Sequence, residues 1–176
     1  MGSIGATFIV IGIGMLYMMT GTLNMMDLAE RLPQVSSRVV SVAFAFLTVG
    51  ICLKLALFPL HLWLPDAYTF APSAITAFLA STATKVAVYM LLRFFFTIFG
   101  PTFSLGVMGF QAVLLPLALI AILSASLTAI YQRNVKRLLA YSSVAQVGYM
   151  VLGISLASVT GITAGLLHLF NHALIK

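Results

Sequence analysis

A chain of 176 residues that is 62% hydrophobic and only 7% charged has too little polar surface to solvate a globule, and its mean hydropathy of +1.15 identifies an integral membrane protein. Nine basic residues against three acidic ones give a formal charge of +6. The basic residues stand at segment ends or inside apolar segments rather than in a run, which argues against a nucleic-acid partner.

Six apolar segments follow along the chain, over 3–23, 39–58, 73–99, 110–131, 138–156 and 160 onward. Each is near the roughly 20 residues that cross a bilayer as a helix. They are continuous runs of Leu, Ala, Val, Ile and Phe, not the alternating ten-residue segments of a membrane β-barrel. The expected fold is all-α, a polytopic bundle of about six transmembrane helices in a bacterial-type inner membrane. No charged region or small-residue cleavage pattern accompanies the first segment, so it reads as a span and not as a signal peptide. The last segment reaches Lys176 without a Gly, Asn or Pro stop signal. The expectation is one membrane domain over 1–176, the middle of a longer subunit. Charge counting leaves orientation tied, with Arg133, Lys136 and Arg137 on one side and Arg31, Arg38 and Arg93 on the other. The tight turn at 131–137 is the better cytoplasmic candidate. Cys52 lies in an apolar segment, has no partner for an intrachain disulfide, and reads as packing.

Five ionisable side chains sit within these segments: Lys54, Lys85, His168, His172 and Lys176. A lysine at the centre of a membrane helix costs about 2.5 to 3.5 kcal/mol on insertion scales, and such residues mark ion or proton routes. Lys54 precedes Pro59, which lacks an amide hydrogen and clashes with the preceding turn, so the helix should break beside the lysine. Irregular backbone at membrane depth needs protein or water around it, which would give Lys54 a polar pocket. The alternative is that the helix simply ends there and Lys54 snorkels. His61, Trp63 and Asp66 read as marking the membrane interface or a helix-loop-helix joint rather than catalysis.

Lys85 stands near the middle of its segment, where snorkelling would have to reach about 15 Å along the helix axis, farther than a lysine side chain extends, so it should be buried. Ser81, Thr82 and Thr84 beside it offer hydroxyls for a relay, or simply close helix packing. His168, His172 and Lys176 recur at spacings of four and share one helical stripe. That stripe is a candidate proton wire facing Lys85. Hydrogen-bonded packing and a metal site compete with it, although a metal wants three or four ligands and neither Cys nor carboxylate lies nearby in sequence. No nucleotide loop, cysteine cluster or haem ligand pair points to a cofactor, and none is expected.

The stretch from Gly50 to Phe96 contains Lys54, Pro-Leu-His61-Leu-Trp-Leu-Pro-Asp66-Ala, Ala-Pro72-Ser and Lys85. Together with Asn134-Val-Lys136-Arg137-Leu-Leu-Ala-Tyr-Ser-Ser-Val-Ala-Gln-Val-Gly-Tyr and His168 to Lys176, it resembles the antiporter-like subunits shared by respiratory complex I and the Mrp-type cation/proton antiporters. The resemblance covers essentially the whole chain. It implies that Lys54 is the lysine on a broken helix, Lys85 the central lysine, and His168, His172 and Lys176 the connecting residues, with the turn at 131–137 cytoplasmic. The family also pairs its broken-helix lysine with a glutamate on an earlier helix; here Asp27, Glu30 and Asp66 all fall outside the spans.

The function implied is proton translocation, or cation/proton antiport, by a membrane subunit of a multisubunit complex. If Lys54 and Lys85 stood about 8 Å apart, each charge would destabilise the other by about 2 kcal/mol at an effective dielectric of 20. The wording around Asp27 and before Pro72 inclines toward the D-like branch of the Mrp antiporter subunits. A proton-pumping M, L or N-type subunit of NADH:quinone oxidoreductase is the alternative, and a non-transporting membrane scaffold the second. Other membrane subunits and the lipid bilayer are the expected partners, protons the cargo, and sodium the further candidate ion. No catalytic chemistry is expected in this chain itself, although its parent complex would be an enzyme in the complex I case.

Overall fold

The computed structural model describes residues 2–35 and 38–176. Among the described residues eight α-helices run in order: α1 Gly2–Thr20, α2 Met25–Arg31, α3 Arg38–Leu55, α4 Trp63–Phe70, α5 Ser73–Leu92, α6 Phe110–Ile130, α7 Val135–Ser155 and α8 Val159–Ile175. There is no strand among the described residues. Among the described residues five helices are long and apolar enough to cross a membrane, and Val159–Ile175 is a shorter apolar helix, so the chain is an all-α, multi-pass membrane protein. The ends of the spans have local causes. Gly21, at φ 72°, takes the left-handed conformation that stops α1 three residues earlier than hydropathy suggests. Asn134 and Ser158 accept from the backbone amides of Lys136 and Gly161 and so cap α7 and α8.

The chain forms two compact units. Unit 1 comprises residues up to Lys54 together with Tyr89–Gly109. Gly5 allows α1 to lie on α3, since a β-carbon there would stand 3.2 Å from the Gly50 carbonyl oxygen. The core of this unit is aromatic: the Phe44 ring lies 5.1, 4.9 and 5.8 Å from those of Phe95, Phe99 and Phe103. This aromatic stretch includes wide-turned backbone that hydropathy does not separate, since α5 continues as a π-helix over Arg93–Ile98 and a second π-helix covers Thr102–Val107. On α2, the Arg31 guanidinium donates to Asp27 at 2.6 Å and holds that exposed carboxyl below its usual range.

Unit 2 comprises Leu55–Val88 and Phe110–Lys176. α7 is its axis, with eleven buried residues. Its core joins Leu64 and Tyr68 of α4, Ala80 of α5, Ala125 of α6 and Ala140, Val144 and Ala145 of α7. Small residues set the helix spacing. At Gly153 a β-carbon would stand 2.7 Å from the Gly161 carbonyl oxygen, so α7 and α8 touch backbone to backbone. The Asp66 carboxylate, 3.3 Å from Arg137, and Lys136, donating to the Ala71 carbonyl at 3.0 Å, fasten α4 to the start of α7.

Candidate functional site

The break expected at Pro59 begins at Ala56, which takes φ 58° directly after α3 ends at Leu55. Pro59 follows a cis peptide bond, and regular helix resumes at Trp63. The helix ends ahead of Pro59 because a proline excludes helical geometry from the turn before it.

Lys54 occupies the last turn of α3. Against the expectation of a buried pocket, Lys54 is exposed on this chain, although Leu53 and Leu55 on either side of it are buried. Its stem runs along α1, with Cγ 3.5 Å from the position a Gly5 β-carbon would take. A long side chain on a terminal turn reaches past its helix in this way.

Unit 2 brings the other four residues together. Lys85 on α5 is 6% exposed, and its ammonium donates to the Ala80 carbonyl. Ser81 and Thr82 donate to the Phe78 carbonyl at 3.0 and 2.7 Å, so those hydroxyl hydrogens stay within their own helix. On α8 the rings of His168 and His172 are nearly parallel, 6.5 Å between centroids and 6° between planes. His168 Nε2 lies 2.6 Å from Gln146 Oε1 and its ring 5.9 Å from Tyr149, both on α7. Lys176 donates to the Leu139 carbonyl at 2.9 Å. His172, 4% exposed, meets no hydrogen-bond partner among the described residues at either ring nitrogen. Lys85, His172 and Lys176 are close enough for their charges to act on one another.

Gln146 and Tyr149 join the site without a signal in their spacing, since nothing there says that α7 faces α8 along this edge. Their intramembrane polarity is the one mark the sequence carries. His61 is buried in the break, stacked on Phe58 at 5.5 Å and edge-on to Tyr141 at 6.4 Å. No group of three or more His, Cys, Asp and Glu residues forms a metal-holding cluster among the described residues.

Over residues 1–176 the chain matches the family described as NADH:quinone oxidoreductase/Mrp antiporter, TM. It is 46% identical over 180 residues to NADH-quinone oxidoreductase subunit N of Desulforudis audaxviator, covering 99% of this chain and 35% of that protein. It is 34% identical over 170 residues to the D subunit of the Na(+)/H(+) antiporter of Alkalihalophilus pseudofirmus, covering 95% and 33%. Among solved structures, it superposes on a chain of the Mrp complex from Dietzia sp. DQ12-45-1b with a TM-score of 0.88 at 29% identity, covering 99% of this chain and 31% of that one. The chain thus spans about a third of the length of these relatives.

Proposed function

The chain belongs to the membrane-subunit family shared by NADH:quinone oxidoreductase and the Mrp antiporters, and we propose that it translocates protons, with Lys85, His172, Lys176 and His168 as the carriers. The observation that carries this reading is His172, buried beside two lysines with both ring nitrogens unpartnered among the described residues. A buried polar group normally finds a partner, and an imidazole free at both nitrogens is able to take a proton on one and release one from the other. Water or the neighbouring amine serves as the other party. Within about 8 Å, two like charges at an effective dielectric of 20 cost about 2 kcal/mol, so a proton arriving at one amine drives the charge off the next.

Lys54, on the broken helix, serves as the first charge of the sequence. The family's glutamate partner supplies the acid this chain does not carry in a span. The chain functions as the middle part of a longer subunit held among other membrane subunits. Between the branches, 46% identity to an N-type subunit against 34% to a D-type one favours the NADH:quinone oxidoreductase side. The wording around Asp27 and Pro72 favours the Mrp side and keeps it as the second reading.

The test is proton flux into vesicles that hold the complete parent complex, driven in turn by NADH oxidation and by a sodium gradient. Lys85→Ala is expected to abolish flux while the complex still assembles. Normal assembly with parental flux would leave only the scaffold reading, and the driving force that works separates the branches.

A further inference from the structure

The end of unit 1 where α3 begins holds a cavity of about 460 Å3. Leu32 and Pro33, on the turn that follows α2, and Val40, on the first turn of α3, form one side of it. The other side is the bend after α5: Phe99, Gly100 at φ 76°, and the π-helix that starts at Thr102. A β-carbon at Gly100 would meet nothing within 4 Å, so this glycine serves the left-handed bend and not close packing. The rings of Phe99 and Phe103 stack on each other, 5.6 Å between centroids, and join the cavity wall to the aromatic core around Phe44. Thr102 and Val107 are exposed, which gives the cavity its mouth. Among the described residues Thr102 brings the one polar side chain of the lining, and no charged group faces the space.

Such a lining selects hydrocarbon. A buried water makes about three hydrogen bonds, and an apolar cavity that cannot supply them stays dry and takes apolar ligands. The volume falls within the range of ligand sites, about 300 to 1,000 Å3. One turn of helix, about 10 Å across and 5.4 Å tall, already occupies about 420 Å3, so the cavity is too small for a crossing helix and suits a thin, flexible chain. In a membrane protein that chain is at hand in the bilayer. The charges nearby say which lipid fits. Between α2 and the start of α3, Asp27 and Arg31 pair with each other at 2.6 Å, while Glu30 and Arg38 are exposed. Each stands two residues from a lining residue, Glu30 from Leu32 and Arg38 from Val40. A guanidinium takes a phosphate and a carboxylate takes an ammonium. One of each matches a zwitterionic aminophospholipid, whereas an anionic head group without an amine would leave Glu30 facing like charge.

We propose that this cavity binds one acyl chain of a zwitterionic aminophospholipid, with the phosphate on Arg38 and the head-group amine on Glu30. The bend after α5 then faces lipid and not another subunit. The site is independent of the translocation reading, since none of Lys54, Lys85, His168, His172 and Lys176 lines the cavity.

The test uses the full-length subunit in its complex, reconstituted in vesicles doped with a phosphatidylethanolamine whose acyl chain carries a diazirine, at a probe level well below saturation. After irradiation the labelled peptides are located by mass spectrometry. The expected result is label concentrated in the peptides around 32–40 and 99–107. Thr102→Trp and Val107→Trp fill the mouth and should lower that label by about tenfold or more, the equivalent of displacing about two methylenes. Val159→Trp, at an exposed position on α8, should leave it at the parental level. Arg38→Gln should lower it by about twofold to fivefold, and unlabelled phosphatidylglycerol should compete less well than unlabelled phosphatidylethanolamine by a similar factor. Label spread evenly over all lipid-facing peptides, or unchanged by both tryptophans, overturns the site. No label in the two peptides means that protein from the rest of the complex fills the cavity, and overturns it as well. Equal competition by the two lipids overturns the head-group assignment. The map on the parent complex needs no variant, so it decides the site even where a tryptophan prevents assembly.

Discussion

Replacing Lys85 with methionine sets stability against transport, and the structure says in which direction each moves. Lys85 is buried in unit 2, and at mid-helix a lysine costs about 2.5 to 3.5 kcal/mol to insert. Methionine is close to it in length, is unbranched and fills irregular space, so no cavity opens. What is lost is one charge-assisted hydrogen bond to the Ala80 carbonyl, worth about 1.5 to 3 kcal/mol. That carbonyl still accepts from the helix, which limits the loss, and the variant is also freed of repulsion from Lys176. The balance lies between about zero and 2 kcal/mol in favour of the variant. Lys85→Met should therefore unfold in detergent at a temperature equal to or above that of the parent, while proton flux in reconstituted vesicles falls to background. A variant that melts several degrees lower and still transports would make Lys85 a structural cation, and the reasoning would fail.

At Gly153, where a β-carbon meets the Gly161 carbonyl at 2.7 Å, Gly153→Ala should destabilise by about 1 to 3 kcal/mol, whereas Gly14→Ala, with nothing within 4 Å inside α1, should gain about 0.5 to 1 kcal/mol; thermal unfolding compares the two. His172→Ala leaves room for water and should slow flux only several-fold, whereas His172→Phe fills that room and should stop it; equal flux in both would remove His172 from the route. Because the Asp27 carboxyl is held below its usual range by Arg31, its folded value lies under the unfolded one of about 3.9, so its contribution is present above that pH and is lost as pH falls through the folded value. An acid titration of stability should be shallower below about pH 4 for Asp27→Asn than for the parent, by a small amount because the carboxyl is exposed.

Hydropathy locates the spans because a bilayer of fixed thickness imposes one length on every crossing helix, and that constraint acts on composition alone. The break near Lys54 is legible for a similar reason, since a proline's missing hydrogen and its ring are properties of one residue. Burial of Lys85 follows from its distance to either end of its helix. The environment of Lys54 does not follow, because on a terminal turn it depends on what neighbours present, and Gly5 on α1 presents no side chain at all. The π-helices at Arg93–Ile98 and Thr102–Val107 are equally hidden, since a change of hydrogen-bond register leaves an apolar run apolar.

The stripe on α8 shows how far a spacing carries an argument about mechanism. A spacing of four puts His168, His172 and Lys176 on one line, about 6 Å apart in rise, and stops there. The antiparallel α7 supplies the rest: Gln146 meets His168, and the Leu139 carbonyl meets Lys176. These two acceptors are seven residues apart, about 10 Å, against about 12 Å between the groups they serve. They hold the two ends of the stripe and leave the middle unserved. His172 falls in that gap and is more deeply buried than either neighbour. A stripe built only for packing would have its buried member satisfied first, because an unmet polar group there costs about 1 to 3 kcal/mol. Among the described residues the fold fixes the outer members and leaves the buried imidazole without a partner, an arrangement that suits the proton carrier proposed above.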